Sequence, residues 1–486
     1  MHRTLLACAT ALGLLFSSET RAEPSAPPIF CERYPTSATC LGGPASCDTC
    51  HDSTEPVDWN PYGEAVRKAL GGPLSPSEFT LRLDLALGAI ETADADGDGV
   101  SNRDEIQEGS LPGDPTSVPF EAVCPEDTTG MDYPICERSP RHILRKIHLD
   151  VCGRSPRWVE MEAFLEQSPE AQEAALHEAL DVCLDSEHWL GKDGVLWQLA
   201  HPKVRPVAAL KGSAVEVGPV PLANYDHDYQ LYVWSQIDDH DARSVLTADF
   251  GVLRDDGPTR YYAATDTELE QECAFCLEPM QVERRVGNIT SRWFLSYFVM
   301  FTPLPRAAAS QAYRAYLGYD IARNEGLFPI TVDQGFPVTE PADHDRSGVD
   351  APGCATCHST LDPLSYAFRN YTGLVSAPGY GRTQYIPDRL EQLWPDDTAL
   401  HATPESGYLL AESYDNLVEW GQIAANSDAF AKAAVMDYWR LLVGRPPTAD
   451  EGPEYESIWR RFQGEHDYSV ERMLHDLVDT EAYGAI

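Results

Sequence analysis

Apolar residues recur at helical spacing through most of the chain. In the stretch opened by Ser168-Pro169, the residues Leu176, Leu180, Cys183 and Leu184 fall at i, i+4, i+7 and i+8. That spacing puts them on one side of a helix, as a stripe to be buried. Ser168 is a favoured N-cap, and Pro169 suits the first helical position. Further on, Val435, Tyr438, Trp439 and Leu442 form a second stripe, closed by Gly444 and Pro446-Pro447. Thr448-Ala449-Asp450-Glu451 then has the spacing of a capping box, and Val470, Leu474, Leu477 and Val478 line the last helix. Toward the N-terminus, Asn60-Pro61-Tyr62-Gly63 opens a helical stretch over Glu64–Leu70 that Gly71-Gly72-Pro73 stops. Residues 76–92 predict another, with Ser75 as N-cap. Residues 225–266 show no clear period, apart from a short β-hairpin predicted over 251–264.

This pattern predicts a mainly α protein with little β structure. At 486 residues, more than one core is expected. Residues 23–60 are rich in Pro, Ser, Thr and Cys and read as loop, while 112–134 is a Pro-, Asp- and Thr-rich linker that sets a boundary near 120. The expected organisation is an N-terminal module over 23–120, a helical domain over 121–330 and a C-terminal domain over 331–486. Residues 1–22 read as a signal peptide: Arg3 supplies the basic start, 5–16 the apolar core, and Thr20-Arg21-Ala22 the cleavage site. Leu5-Leu6-Ala7-Cys8 resembles a lipoprotein box, but most of the apolar core follows Cys8, so cleavage after Ala22 is the better reading. No stretch reaches the ~18 apolar residues of a membrane span. The expected location is periplasmic or secreted.

Charge narrows the partners. Against 36 Lys and Arg stand 77 Asp and Glu, a formal charge of -41. Such a surface repels nucleic acid and anionic lipid, and suits a cationic redox partner protein, a calcium-rich exterior or simply solubility.

The candidate chemistry lies in two copies of Cys-x-x-Cys-His, Cys47-Asp48-Thr49-Cys50-His51 and Cys354-Ala355-Thr356-Cys357-His358. This is the attachment pattern of c-type haem. Two thiols reach two vinyl carbons on one porphyrin edge, and the next residue turns an imidazole under the iron as proximal ligand. A disulfide with a chance histidine is the plainer alternative. Half of a zinc site is another, but neither copy has a second ligand pair at matching spacing. Of 13 cysteines, Cys8 and the four in the motifs leave eight. In an oxidising compartment these suggest four disulfides, but sequence does not fix the connectivity among the roughly 105 formal pairings of eight cysteines. Nearest-neighbour pairing would give Cys31–Cys40, Cys124–Cys136, Cys152–Cys183 and Cys273–Cys276. The last lacks a following histidine and reads as a small disulfide loop or a thiol redox pair.

Between the first motif and the linker runs Asp94-Ala95-Asp96-Gly97-Asp98-Gly99-Val100-Ser101-Asn102-Arg103-Asp104-Glu105, which fits a twelve-residue EF-hand calcium loop. Asp94, Asp96 and Asp98 offer carboxylates, Val100 its carbonyl and Gly99 the sharp turn. Asn102 falls at the water-bridged position, and Glu105 closes the shell. A solvated acidic turn is the alternative reading. One structural calcium ion is the expectation. The loop and the tail that follows it also resemble thrombospondin type 3-like and dockerin-like calcium repeats.

The second motif extends further. Pro352-Gly353-Cys354-Ala355-Thr356-Cys357-His358-Ser359-Thr360-Leu361-Asp362-Pro363-Leu364-Ser365-Tyr366-Ala367-Phe368 resembles the planctomycete-type cytochrome c proteins, whose motif continues as CHxxMDPxGFALENFDxxG. Asp362-Pro363, Ala367 and Asn370 match. Leu361 stands for the usual Met, Ser365 for Gly and Tyr371-Thr372 for Phe-Asp, and Gly373 comes two residues early. Leu361 excludes a methionine at that position as a haem ligand. The segments 144–156, 244–250 and 438–445 resemble other elements of that family in the expected order. The resemblance implies a multidomain exported c-type cytochrome with haem binding and electron transfer, and names no reaction.

The residue opposite each proximal histidine decides whether an iron is closed or open. Candidates are Met131, Met161, Met280, Met300, Met436, Met473, His142, His148, His344 and His401. His344, ten residues before Cys354 in a polar loop, is the foremost. His142 and His148, six apart, do not share a helix face, so they do not serve one iron together. The favoured function is a dihaem electron-transfer protein, stabilised by calcium and disulfides. The alternatives are a peroxidase-like dihaem redox enzyme with one five-coordinate haem, and a calcium-stabilised surface protein.

Overall fold

The computed structural model describes residues 26–35, 37–41, 45–52, 58–72, 74, 76–119, 138–255, 257, 260–272, 280–300, 302–323, 325–327, 342–373, 384–410 and 412–484. Of the sequence expectations, the segment 1–22, the linker from 120 on, Ser75, Met131 and the cysteines Cys124, Cys136, Cys273 and Cys276 lie outside them.

The protein is mainly α, with 56% of residues helical and three two-stranded sheets among the described residues. No helix among them is long and apolar enough to cross a membrane. The helices begin largely where capping chemistry places them. Asn60 caps Pro61–Leu70 by accepting from the Gly63 N–H, and Gly71 ends that helix at φ 84°. Ser168 caps Pro169–Leu184 through the Ala171 N–H, and Leu176, Leu180, Cys183 and Leu184 are all buried. Ser469 caps Val470–Val478. The expected hairpin pairs Gly251–Arg254 antiparallel to Tyr261–Ala264.

One cap differs from expectation. The helix after Pro446-Pro447 spans Gly452–Gln463 and begins beyond Glu451. Glu451 still supplies its half of the box by accepting the Thr448 N–H at 2.8 Å, and the same carboxylate takes Arg445 at 2.6 and 2.7 Å. The bidentate guanidinium adds a charge-assisted pair to that carboxylate without displacing Thr448.

Two large hydrophobic clusters, with a small third of Leu304, Leu390 and Leu400, organise the described residues. The smaller of the two joins Phe30, Tyr34, Tyr62, Val66, Leu83, Leu87 and Ile106, and belongs to the N-terminal module. The larger runs from Ile143 to Tyr483, so residues expected in the 121–330 and 331–486 domains share one core. Lys146 reinforces this closure by donating to the carbonyls of Leu442 and Tyr483, each at 3.1 Å. Disulfides Cys31–Cys40 and Cys152–Cys183 tie the two clusters internally, each a nearest-neighbour pair.

A buried acid in the large core gives stability a pH dependence. Asp228 is 3% exposed; its Oδ1 accepts from Ser291 at 2.5 Å, and its Oδ2 has no hydrogen-bond partner among the described residues. Burial pushes this carboxyl up to about 8 from an ordinary 3.8. The folded state therefore holds the proton more tightly than the unfolded chain. This contribution falls as pH rises between about 4 and about 8. Asp228→Asn is expected to remove that slope and raise stability at pH 8, as read by urea denaturation at pH 5 and 8. An unchanged slope contradicts a buried neutral Asp228.

Candidate functional site

The first Cys-x-x-Cys-His begins in a single 3-10 turn, Cys47–Thr49, and His51 forms an antiparallel bridge with Trp59. Asn60 staples this loop to the helix behind it. Its Oδ1 accepts the Gly63 N–H at 2.8 Å, while its Nδ2 donates to the carbonyls of Asp48 at 2.9 Å and Thr49 at 3.2 Å. Gly63 permits the close approach, because a Cβ there would lie 1.8 Å from the Cys50 carbonyl oxygen.

The His51 ring stacks on Trp59 with centroids 4.3 Å apart, and its Nδ1 lies 3.2 Å from the Asp58 carbonyl. A carbonyl can only accept, so Nδ1 carries the proton and Nε2 keeps a bare lone pair suited to a metal. Burial pushes the imidazole below its ordinary value and keeps it neutral. Cys50 is a half-buried thiol, and the Cys47 side chain lies outside the described residues. Around this loop, Thr49 Oγ1, Trp59 Nε1 and the Tyr62 hydroxyl are buried with no hydrogen-bond partner among the described residues. A cleft of about 760 Å³ opens beside the loop, lined by Ser46 and Thr49 and, from the helix Asp428–Val443, by Met436, Lys432 and Arg440.

The second motif lies in the first half of the helix Pro352–Ser365. Cys354 is exposed and Cys357 half-buried; both are thiols, three residues apart on one face. One turn beyond Cys354, His358 places its Nδ1 2.8 Å from Asp362 Oδ1. Asp362 is fully buried. Arg306, from the helix Arg306–Leu317, donates to its two oxygens at 2.6 and 2.8 Å. The same guanidinium reaches Asp345 at 2.5 and 3.2 Å. Burial opposes the Asp362 charge, but the bonds from Arg306 and His358 outweigh it and hold the carboxyl below its ordinary value. The ionised carboxylate accepts only, so His358 also donates from Nδ1, and Nε2 is the ring nitrogen that Asp362 does not engage.

Sequence spacing singles out neither Arg306 nor Asp345. Asp362 stands in the matched Asp-Pro pair, but Arg306 lies 56 residues from it, and nothing local marks the pairing.

In the acidic loop 94–105, one oxygen each of Asp94, Asp96 and Asp98 lie within 4.8 Å of one another. Loop N–H groups orient them: Gly97 and Gly99 donate to Asp94 at 2.7 and 2.9 Å, and Val100 donates to Asp98 at 2.7 Å. Glu105 is 0% exposed, and its Oε2 has no hydrogen-bond partner among the described residues, as is true of one oxygen each on Asp96 and Asp98. Burial first, then the charges of Asp96 and Asp98, push the Glu105 carboxyl up to about 8. This donor set fits a hard cation with oxygen ligands. Asn102 is turned the other way. Its Oδ1 accepts from the Ala95 N–H at 3.0 Å and its Nδ2 donates to the Ile90 carbonyl at 2.7 Å, so it braces the loop.

The distal-ligand candidates are scattered. Met161, Met280 and Met473 are buried in the large core, and Met300 follows the turn Leu295–Val299. Met436 shares the cleft with Thr49. His401 Nε2 is engaged by the Trp394 carbonyl at 2.8 Å. His142 and His148 lie on the helix Pro140–Asp150, His148 buried on it. His344 packs its ring edge-on to Tyr366 at 5.8 Å, next to Asp345 of the ion-pair network. No protein-family model, curated protein or solved structure matches this chain.

Proposed function

We propose that this chain is an exported dihaem c-type cytochrome of the planctomycete-type kind, acting in electron transfer with a redox partner protein and stabilised by one calcium ion. The observation that carries the reading is the setting of the two motif histidines. Each is anchored through Nδ1, which leaves Nε2 for iron. Beside them Cys50, Cys354 and Cys357 are thiols, whereas Cys31, Cys40, Cys152 and Cys183 form disulfides. Cys47, Cys50 and His51 would hold one haem, and Cys354, Cys357 and His358 the other. Bound haem supplies a one-electron iron couple. Asp94, Asp96, Asp98, Glu105 and the Val100 carbonyl would hold calcium.

The absorption spectrum of the dithionite-reduced protein, before and after carbon monoxide, tests the reading. Sharp c-type bands that ignore carbon monoxide are expected, because a carrier has both axial positions filled. Absence of c-type bands overturns the reading. A carbon monoxide shift in half of the haem transfers it to a dihaem redox enzyme with one open iron.

A further inference from the structure

The two motif histidines differ in what receives their Nδ1 proton. His51 donates to a neutral backbone carbonyl, that of Asp58. His358 donates to Asp362, a fully buried carboxylate. Arg306 bonds that carboxylate and shares its charge with Asp345, so the trio carries one net negative charge behind His358. A carboxylate acceptor draws the imidazole proton toward itself and makes the ring a stronger electron donor to its metal. A stronger donor favours the more positive oxidation state, and hydrogen bonding outside the ligand shell is one of the levers that set haem potentials.

We propose that Asp362, clamped by Arg306 and Asp345, is a positioning residue that stabilises the ferric form of the haem at His358 and separates its potential from that of the haem at His51. This rests on the dihaem reading. Reduction adds one electron at iron, supplied in the test by dithionite, and makes or breaks no bond at Asp362.

The test is an optical redox titration of the intact dihaem protein at fixed pH. The step missing from Cys354→Ala/Cys357→Ala identifies the C-terminal haem. Asp362→Asn is expected to raise the midpoint of that haem and leave the other in place. Asp345→Asn keeps the Asp362–His358 bond but leaves Arg306 wholly to Asp362, and is expected to raise the same midpoint by a smaller amount. It serves alone should Asp362→Asn fail to accumulate. Two haems with unmoved midpoints, or an equal movement of both, overturn this inference alone. A wild-type protein without covalent haem overturns the dihaem reading as well.

Discussion

Cys354→Ala/Cys357→Ala is expected to lose half of the covalently bound haem. Thioether bonds survive denaturation and extraction, whereas an imidazole alone does not retain haem through either step. The pyridine haemochrome of acid-acetone-extracted protein therefore counts the sites directly. The N-terminal haem is expected to persist, because its loop belongs to a different hydrophobic cluster, built on Phe30, Tyr62, Leu83 and Ile106. His358→Ala is expected to give the same count if attachment needs the imidazole. Two haems retained in both variants would show that residues 354–358 are not an attachment site.

Calcium removal is expected to produce the second large effect. Glu105 is buried beside Asp96 and Asp98, and its carboxyl is pushed up to about 8, so these groups oppose folding while they are ionised and unneutralised. A cation reverses that penalty. At a calcium concentration of about 100 times Kd, binding contributes about 2.7 kcal/mol. For a module of this size, that corresponds to a melting shift on the order of 10–20 °C. Scanning calorimetry with calcium and with a chelator should show it in the N-terminal transition. Glu105→Gln removes the ionisable group, so above pH about 8, where Glu105 would be charged, the metal-free variant should melt above metal-free wild type, and it should gain less from calcium. An N-terminal transition that ignores the chelator contradicts a calcium site.

Short-range spacing carries much of this protein. The two Cys-x-x-Cys-His motifs and the acidic loop place their donor atoms within a few residues, so chain geometry alone brings them together. The stripes Leu176–Leu184 and Val470–Val478 are equally legible, because one turn of helix sets which residues face inward. The nearest-neighbour pairs Cys31–Cys40 and Cys152–Cys183 close through local segments.

Tertiary structure decided the partners of those groups. Packing of the helix Arg306–Leu317 against Pro352–Ser365 delivers Arg306 to Asp362 across 56 residues, and no periodicity encodes that meeting. Asn102 has the right position in the loop, but burial turns its amide to the Ala95 and Ile90 backbone. Glu451 has capping-box spacing and accepts the Thr448 N–H, but its carboxylate also binds Arg445 and the helix begins beyond it. In each case the sequence determined which chemical groups were present, while folding determined what they touch, because desolvation makes a buried polar group take the best partner within reach.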